Sequence, residues 1–560
     1  MESRNGLGFW LLAAATGALS GLGAAGLERL LRLVERLAWP PGETFLASVS
    51  AASAPHRMAV LALAGLLVSA VLVLTRRPLG GHGTAQIIES IWYRGGRLQF
   101  WRTLLRGVLS IVGVGLGVSL GREGALIQSG AAAGSKLAEK LRLSSSEARL
   151  LVACGAASGI GAAYNVPIGA AVFGLEVLLG SLALELLGPI VVSCVLATLV
   201  SRTLLSAQPS YLIPHYSLLR PQELGWALAV GLLVGLASAG FVRVLDWLPR
   251  VVERLPERAR PALPTVATLA TGAVALAFPA VLGNGYDAVN AALHDALPLR
   301  LLLLLPLLKL AATAACSASG IPGGLFTPSL FFGGLLGGAV GALANAVVPG
   351  SASPGSLALL GMAASLAGTT HAAASSVLIL FELTADYGMV LPLMLTAVVA
   401  VEVSRRAEPH SLYTAVLNRR KVPLPVAPSP LWMRSVTDVR ALVEPARTVP
   451  PMTPFGDLLV RLLSTEDDEL FVADEEGRFL GIVTLAAIKG HIGSNEDLTM
   501  VVAADVMDPG TEPLSPELSL AEAALRCGST ELHRLPVIDR KTGKLLGTMA
   551  RRELFKRGTF

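Results

Sequence analysis

Apolar stretches approaching about 20 residues recur along this 560-residue chain, and that is the length a helix needs to cross roughly 30 Å of bilayer hydrocarbon. They fall at residues 7–26, 58–74, 182–200, 225–244, 263–282 and 301–315. Hydrophobic residues make up 53% of the chain, charged residues 15%, and mean hydropathy is +0.62. A globular core does not need that much apolar surface, so most of it must face lipid. The expected fold class is therefore an all-α polytopic membrane protein.

Smaller features support this reading. The first stretch follows Arg4 as a signal peptide would, but it runs into a charged amphipathic segment, 27–37, so it reads as a retained span. Cys154, Cys194, Cys316 and Cys527 are widely separated, which suggests packing residues and neither a metal site nor a disulfide framework. A net charge of +5 is modest, and the arginines gather in short loops such as Arg76–Arg77 and Arg405–Arg406. That pattern fits membrane topology and not nucleic acid.

Composition changes after Arg420. The Pro-rich segment 421–430 reads as a linker, and the boundaries drawn are 1–420 for the membrane domain, 421–435 for the linker, and 436–492 and 503–556 for two soluble repeats. Each repeat carries a strand–turn–strand pattern, at 470–483 and 535–549, so the tail is an expected α+β tandem module.

The membrane part also repeats. Gly155-Ala156-Ala157-Ser158 with Leu175-Glu176 aligns with Gly361-Met362-Ala363-Ala364 with Phe381-Glu382 at identical spacing. A glycine-rich break precedes each, at 121–124 and 320–328, and interrupted helices in matching halves point to a substrate site near the midplane between them. A helix that starts inside the membrane presents unpaired N–H groups and the positive end of its dipole, which suits an anion. Glycine lets the backbone approach such an ion closely. Three breaks have this character, at 80–83, 121–124 and 323–328, giving Gly81, His82, Gly83, Arg122 and Gly124 as candidate anion contacts.

Glu123 stands out, since a carboxylate near the membrane centre costs about 2.5–3.5 kcal/mol on insertion scales and is normally functional. Ionised, it would mimic the anion and block its path; protonated, it would swing away and carry a proton. The alternative is a structural Arg122–Glu123 ion pair. Glu176 and Glu382 are either functional or caps on neighbouring helices, and Lys309 is expected to snorkel or pair.

In these motifs the chain resembles the CLC family of chloride channels and chloride/proton antiporters, up to Asn418. Gly121-Arg122-Glu123-Gly124 is similar to the family's GREGP stretch, with Ala125 for proline, and implies that Glu123 is the external gate. Gly323-Gly324-Leu325-Phe326-Thr327-Pro328 resembles GGxFxP, which implies that Leu325 and Phe326 offer backbone N–H groups to the anion. The resemblance also implies that the Tyr413 hydroxyl reaches that anion and that the protein is a homodimer. Asn165-Val166-Pro167 and Phe173 through Glu176 match a further family segment.

Two positions depart from the pattern. His82 stands where the family usually has serine, and an imidazole could replace that hydroxyl or strengthen binding at low pH. Val177 stands where many antiporters carry an inner proton-transfer glutamate and channels carry valine. A proton-coupled antiporter of chloride or a similar monovalent anion, such as nitrate or bromide, is the preferred reading, with a passive voltage- or pH-gated chloride channel as the alternative. An intramembrane hydrolase using Ser158 and His371 is a remote third.

The tail resembles a pair of cystathionine-beta-synthase (CBS) domains, some of which bind adenine nucleotides. Thr484 and Glu553 are the candidate contacts, but Thr484 is followed by Ala487 where an aspartate is typical. No metal or required cofactor is expected. The expected setting is a bacterial inner membrane, with the tail on the cytoplasmic side.

Overall fold

The structure is a computed structural model that describes residues 6–75, 83–205, 211–216, 221–422, 439–464, 468–492, 498, 500–516, 518, 523, 532–539 and 542–551. Two compact units result, 1–424 and 425–560.

The first unit is helical throughout. Among the described residues, seven helices are long and apolar enough to cross a membrane, the first being the unbroken Leu7–Ala38. The apolar stretch at 7–26 and the charged segment after it thus form one helix. The stretch at 263–282 is instead divided: its helix, Leu263–Ala277, stops at Phe278 before the turn Pro279–Val281. Two spans escaped the hydropathy reading, Phe326–Val347 and Tyr387–Arg419. Glycines and prolines dilute the first, and charges at Glu402, Arg405 and Arg406 interrupt the second.

The internal repeat is structural. In the first half Glu123–Lys140 packs on Ser145–Tyr164, followed by the short Pro167–Phe173, a wide turn Gly174–Leu179, and Leu187–Leu204. The second half repeats this with Phe326–Val347, Pro354–Thr370, Ala373–Thr384 and Val390–Ala407. Glycines set how closely each helix pair approaches. A Cβ on Gly155 would lie 2.6 Å from the Gly130 carbonyl carbon, and one on Gly333 would lie 3.0 Å from that of Gly361. Each half also turns a corner on one left-handed residue, Asn165 (φ 64°) and its counterpart His371 (φ 59°), whose N–H closes the preceding helix. Outside glycine, asparagine is among the residues that tolerate this conformation best.

The two short helices are joined by reciprocal caps. Glu176 accepts from the N–H groups of Ala374 (3.3 Å) and Ser375 (2.8 Å), while Glu382 accepts from those of Ile168 (3.0 Å) and Gly169 (2.6 Å). Each glutamate lies near the end of its own segment and caps the start of the other, so the short helices run antiparallel. Lys309, 1% exposed, is also structural: its ammonium donates to the carbonyls of Val281 (2.9 Å) and Gly283 (2.6 Å) beside the broken helix end.

Cys154, Cys194 and Cys316 are buried free thiols, and Cys527 lies outside the described residues. Ser158 shares a hydrogen bond of 2.7 Å with Ser193, and none among the described residues joins it to His371.

The second unit contains β1 (Thr448–Val449), β2 (Glu469–Ala473) and β3 (Phe479–Thr484) in one sheet, β1 parallel and β3 antiparallel to β2. A second hairpin pairs β4 (Arg534–Ile538) with β5 (Leu545–Ala550). At the first turn the Arg478 N–H and guanidinium hold the half-buried Asp474 carboxyl below the usual carboxylate range. Glu469 of β2 reaches the start of β4, accepting from the N–H groups of His533 (2.6 Å) and Arg534 (2.9 Å), which ties the two repeats together.

Candidate functional site

Two helix starts meet in the interior of the first unit. Gly121 and Gly324 pair like residues of adjacent strands, the Gly121 N–H donating to the Gly324 carbonyl (2.8 Å) and the Gly324 N–H to the Gly121 carbonyl (2.7 Å). Immediately afterwards the helices Glu123–Lys140 and Phe326–Val347 begin, and no side chain caps either start. Glycine is required at this crossing: a Cβ on Gly324 would sit 2.8 Å from the Gly124 nitrogen and 2.9 Å from Glu123 Oε2. Two uncapped N-termini therefore face a common point, the arrangement that draws negative charge.

Glu123, 1% exposed, occupies that point. Its Oε1 accepts hydrogen bonds from the Tyr164 hydroxyl (2.6 Å) and the Thr327 hydroxyl, with the Tyr286 hydroxyl at 3.5 Å. Its Oε2 has no hydrogen-bond partner among the described residues and lies beside Gly121 and Gly324. Burying a carboxylate with one oxygen unsatisfied is costly, and the helix starts and hydroxyls only partly replace water.

Arg122 does not serve as the structural partner of Glu123 that sequence left open. Its guanidinium pairs with Glu28 on the first helix and lies over the Tyr286 ring, 5.3 Å from the centroid. Its N–H donates to Asn284 Oδ1 (3.2 Å). Arg122, Glu28, Glu35, Tyr164 and Tyr286 line a cavity of about 370 Å³. Since Tyr164 and Tyr286 line it and also reach Glu123, they form the wall between cavity and carboxylate.

Behind Glu123 an aromatic chain leads to the last candidate. Tyr164 lies against Phe326 (ring centroids 5.2 Å), Phe326 against Phe173 (6.4 Å), and Phe173 edge-on to Tyr413 (6.3 Å). Tyr413 is the second residue of the helix Leu412–Arg419, is buried, and makes no hydrogen bond among the described residues.

Glu123, Gly124, Leu325 and Phe326 are thus gathered at one crossing, with Arg122 at its edge and Tyr413 reached through two aromatic rings. Gly83 begins the helix Gly83–Tyr93 and packs so closely against the Gln128 side chain that a Cβ there would force Gln128 to move. Gly81 and His82 lie outside the described residues. In the second unit the Thr484 hydroxyl accepts from the Ala487 N–H (3.2 Å), starting the helix Leu485–Ile492; Glu553 lies outside the described residues.

Sequence reading missed Tyr164, Thr327, Tyr286, Asn284 and Glu28. Tyr164 carried one usable signal, since it directly precedes the Asn165-Val166-Pro167 motif, and Thr327 lies within the second break. Glu28 and Asn284 come close only through the fold.

Comparison with known proteins follows the same division of the chain. The voltage gated chloride channel family matches residues 60–405, and a CBS domain matches residues 436–494. A ClcB-like chloride channel protein of Ralstonia nicotianae is 37% identical, covering 67% of this chain and 89% of its own length. The voltage-gated ClC-type chloride channel ClcB of Escherichia coli O9:H4 is 31% identical over 72% of this chain and 97% of its own. Among solved structures, a slow cyanobacterial Cl−/H+ antiporter matches with a TM-score of 0.66 at 23% identity, covering 74% of this chain and 97% of that one. A eukaryotic CLC transporter matches at 0.65 and 19% identity over 98% of both chains, which extends the shared fold through the tail.

Proposed function

The chain belongs to the voltage gated chloride channel family, the CLC family, and from that premise we propose that it exchanges chloride for protons with Glu123 as gate and proton carrier. It is an integral membrane protein that transports anions. One observation carries the finer reading: a buried carboxylate, with one oxygen unpartnered among the described residues, is seated where two helix starts without a described side-chain cap converge.

The mechanism follows from electrostatics. Ionised, Glu123 satisfies the two helix dipoles and closes the path. A chloride at the same point offers the same charge without a tether, so anion and carboxylate compete for one seat. Protonation removes the carboxylate's charge and with it the helix starts' preference for it, so the side chain leaves as chloride enters. Backbone N–H groups of Gly124, Leu325 and Phe326, with the Tyr413 hydroxyl further along, would hold the ion; Gly81, His82 and Gly83 would complete the cage. Arg122, paired with Glu28, would shape the approach from the cavity.

Val177, half-buried in the turn Gly174–Leu179, supports a passive channel as the second reading, since it gives this position no inner carboxylate. The two readings separate electrically. An exchanger's reversal potential shifts when pH is changed on one side at fixed chloride, and a channel's stays at the chloride potential.

The remaining assignments are a homodimer in a bacterial inner membrane with the tail in the cytoplasm. For the tail we propose a structural role, because the Thr484 hydroxyl already caps its own helix. Calorimetric titration of the full-length protein with ATP, ADP and AMP should give no saturable heat; a saturating isotherm would restore nucleotide binding.

A further inference from the structure

We propose that Tyr164 and Thr327 form a hydroxyl latch that holds ionised Glu123 in its seat and so prevents chloride from passing without a proton. This rests on reading Glu123 as the gate.

The latch spans both halves. Tyr164 ends the helix Ser145–Tyr164 of the first half, and Thr327 is the second residue of Phe326–Val347 in the second. Both hydroxyls reach the same carboxylate oxygen, Oε1, while Oε2 is left to the glycine crossing. The Tyr164 ring is fixed by stacking on buried Tyr211, at 6.4 Å and 7° between planes, and by Phe326 at 5.2 Å. Its hydroxyl is therefore delivered to one place.

Hydrogen bonds to an ionised acceptor are roughly twice as strong as neutral ones, so both hydroxyls favour the carboxylate over the carboxylic acid. Release costs little, because the Tyr164 and Thr327 oxygens are 2.7 Å apart, so one hydroxyl can donate to the other once Glu123 departs. The latch thus has a closed and an open arrangement, and the proton on Glu123 selects between them. Neither hydroxyl needs to touch the ion; each is a positioning residue that acts through the gate.

Without these two hydroxyls, ionised Glu123 keeps only the longer Tyr286 contact at 3.5 Å and the helix starts, for which chloride competes on more equal terms. Chloride would then cross unaccompanied. The test is chloride efflux and proton uptake by the full-length protein in vesicles, comparing wild type, Tyr164→Phe, Thr327→Val and Thr327→Ser, with the first two also made in a Glu123→Ala background. Tyr164→Phe and Thr327→Val should raise chloride flux by about ten- to a hundredfold and increase the chloride-to-proton ratio, as losing one charged-group hydrogen bond predicts. Thr327→Ser should bring the ratio back toward wild type. In Glu123→Ala the same substitutions should be silent, because the latch has nothing to hold.

An unchanged flux and ratio in both single variants overturns the latch, as does an equal change with and without Glu123. If Tyr164→Phe fails to fold, the Thr327 pair decides alone. If Glu123→Ala still couples protons, the gate assignment has failed first. If wild type moves no protons, chloride flux at fixed pH decides, and flux unchanged by the latch variants contradicts the proposal.

Discussion

Glu123, Glu176 and Glu382 each stand at a helix start of the membrane unit, yet they are bound in two different ways. Glu176 and Glu382 each accept, through both oxygens, from two backbone N–H groups at the start of the opposite short helix. Glu123 accepts from hydroxyls through one oxygen, and the other has no partner among the described residues. The difference separates a cap from a gate. A carboxylate that satisfies backbone donors cannot leave without orphaning them, whereas hydroxyls that can bond to one another let theirs go.

Substitution should break this comparison most plainly at the gate. Glu123→Ala should abolish proton movement while leaving chloride flux, and unfolding should change by less than about 1 kcal/mol, because a costly buried charge is removed. Parallel proton and chloride assays with thermal unfolding check this. The glycine crossing comes next. Gly121→Ala places a methyl group against Glu123 Oε2 and should lower chloride flux by about tenfold through overpacking, in protein that remains folded. The caps should respond in the opposite sense. Glu176→Ala and Glu382→Ala orphan two backbone donors each and should destabilise the unit by about 1–3 kcal/mol, with the chloride-to-proton ratio of the folded fraction unchanged. An altered ratio would mean that the caps also take part in transport. The smallest effect is expected at His82→Ser, a shift in preference among chloride, bromide and nitrate; unchanged selectivity and pH dependence would remove His82 from the anion cage.

Much of this was legible in the sequence because local chemistry carries it. Gly121 to Gly124 and Gly323 to Pro328 announce broken helices through residue type alone, and the equal spacing from Gly155 to Glu176 and from Gly361 to Glu382 reveals the two halves. The role of those two glutamates was not legible, since capping depends on which helix start lies opposite. Tyr164 and Thr327 were missed for a related reason: a tyrosine among small residues and a threonine after phenylalanine look like packing until the fold brings them, 163 positions apart, onto one oxygen. An ion pair between adjacent Arg122 and Glu123 stood as the alternative in the sequence, and the fold pairs the arginine with Glu28, 94 positions away.

The central claim is that Glu123 couples chloride to protons. Its most direct test is uphill proton transport: vesicles containing the full-length protein receive a chloride gradient with no pH gradient, and internal pH is followed. The account predicts proton movement driven by chloride in wild type and none in Glu123→Gln. Chloride flux without proton movement in wild type would contradict it and establish the passive channel.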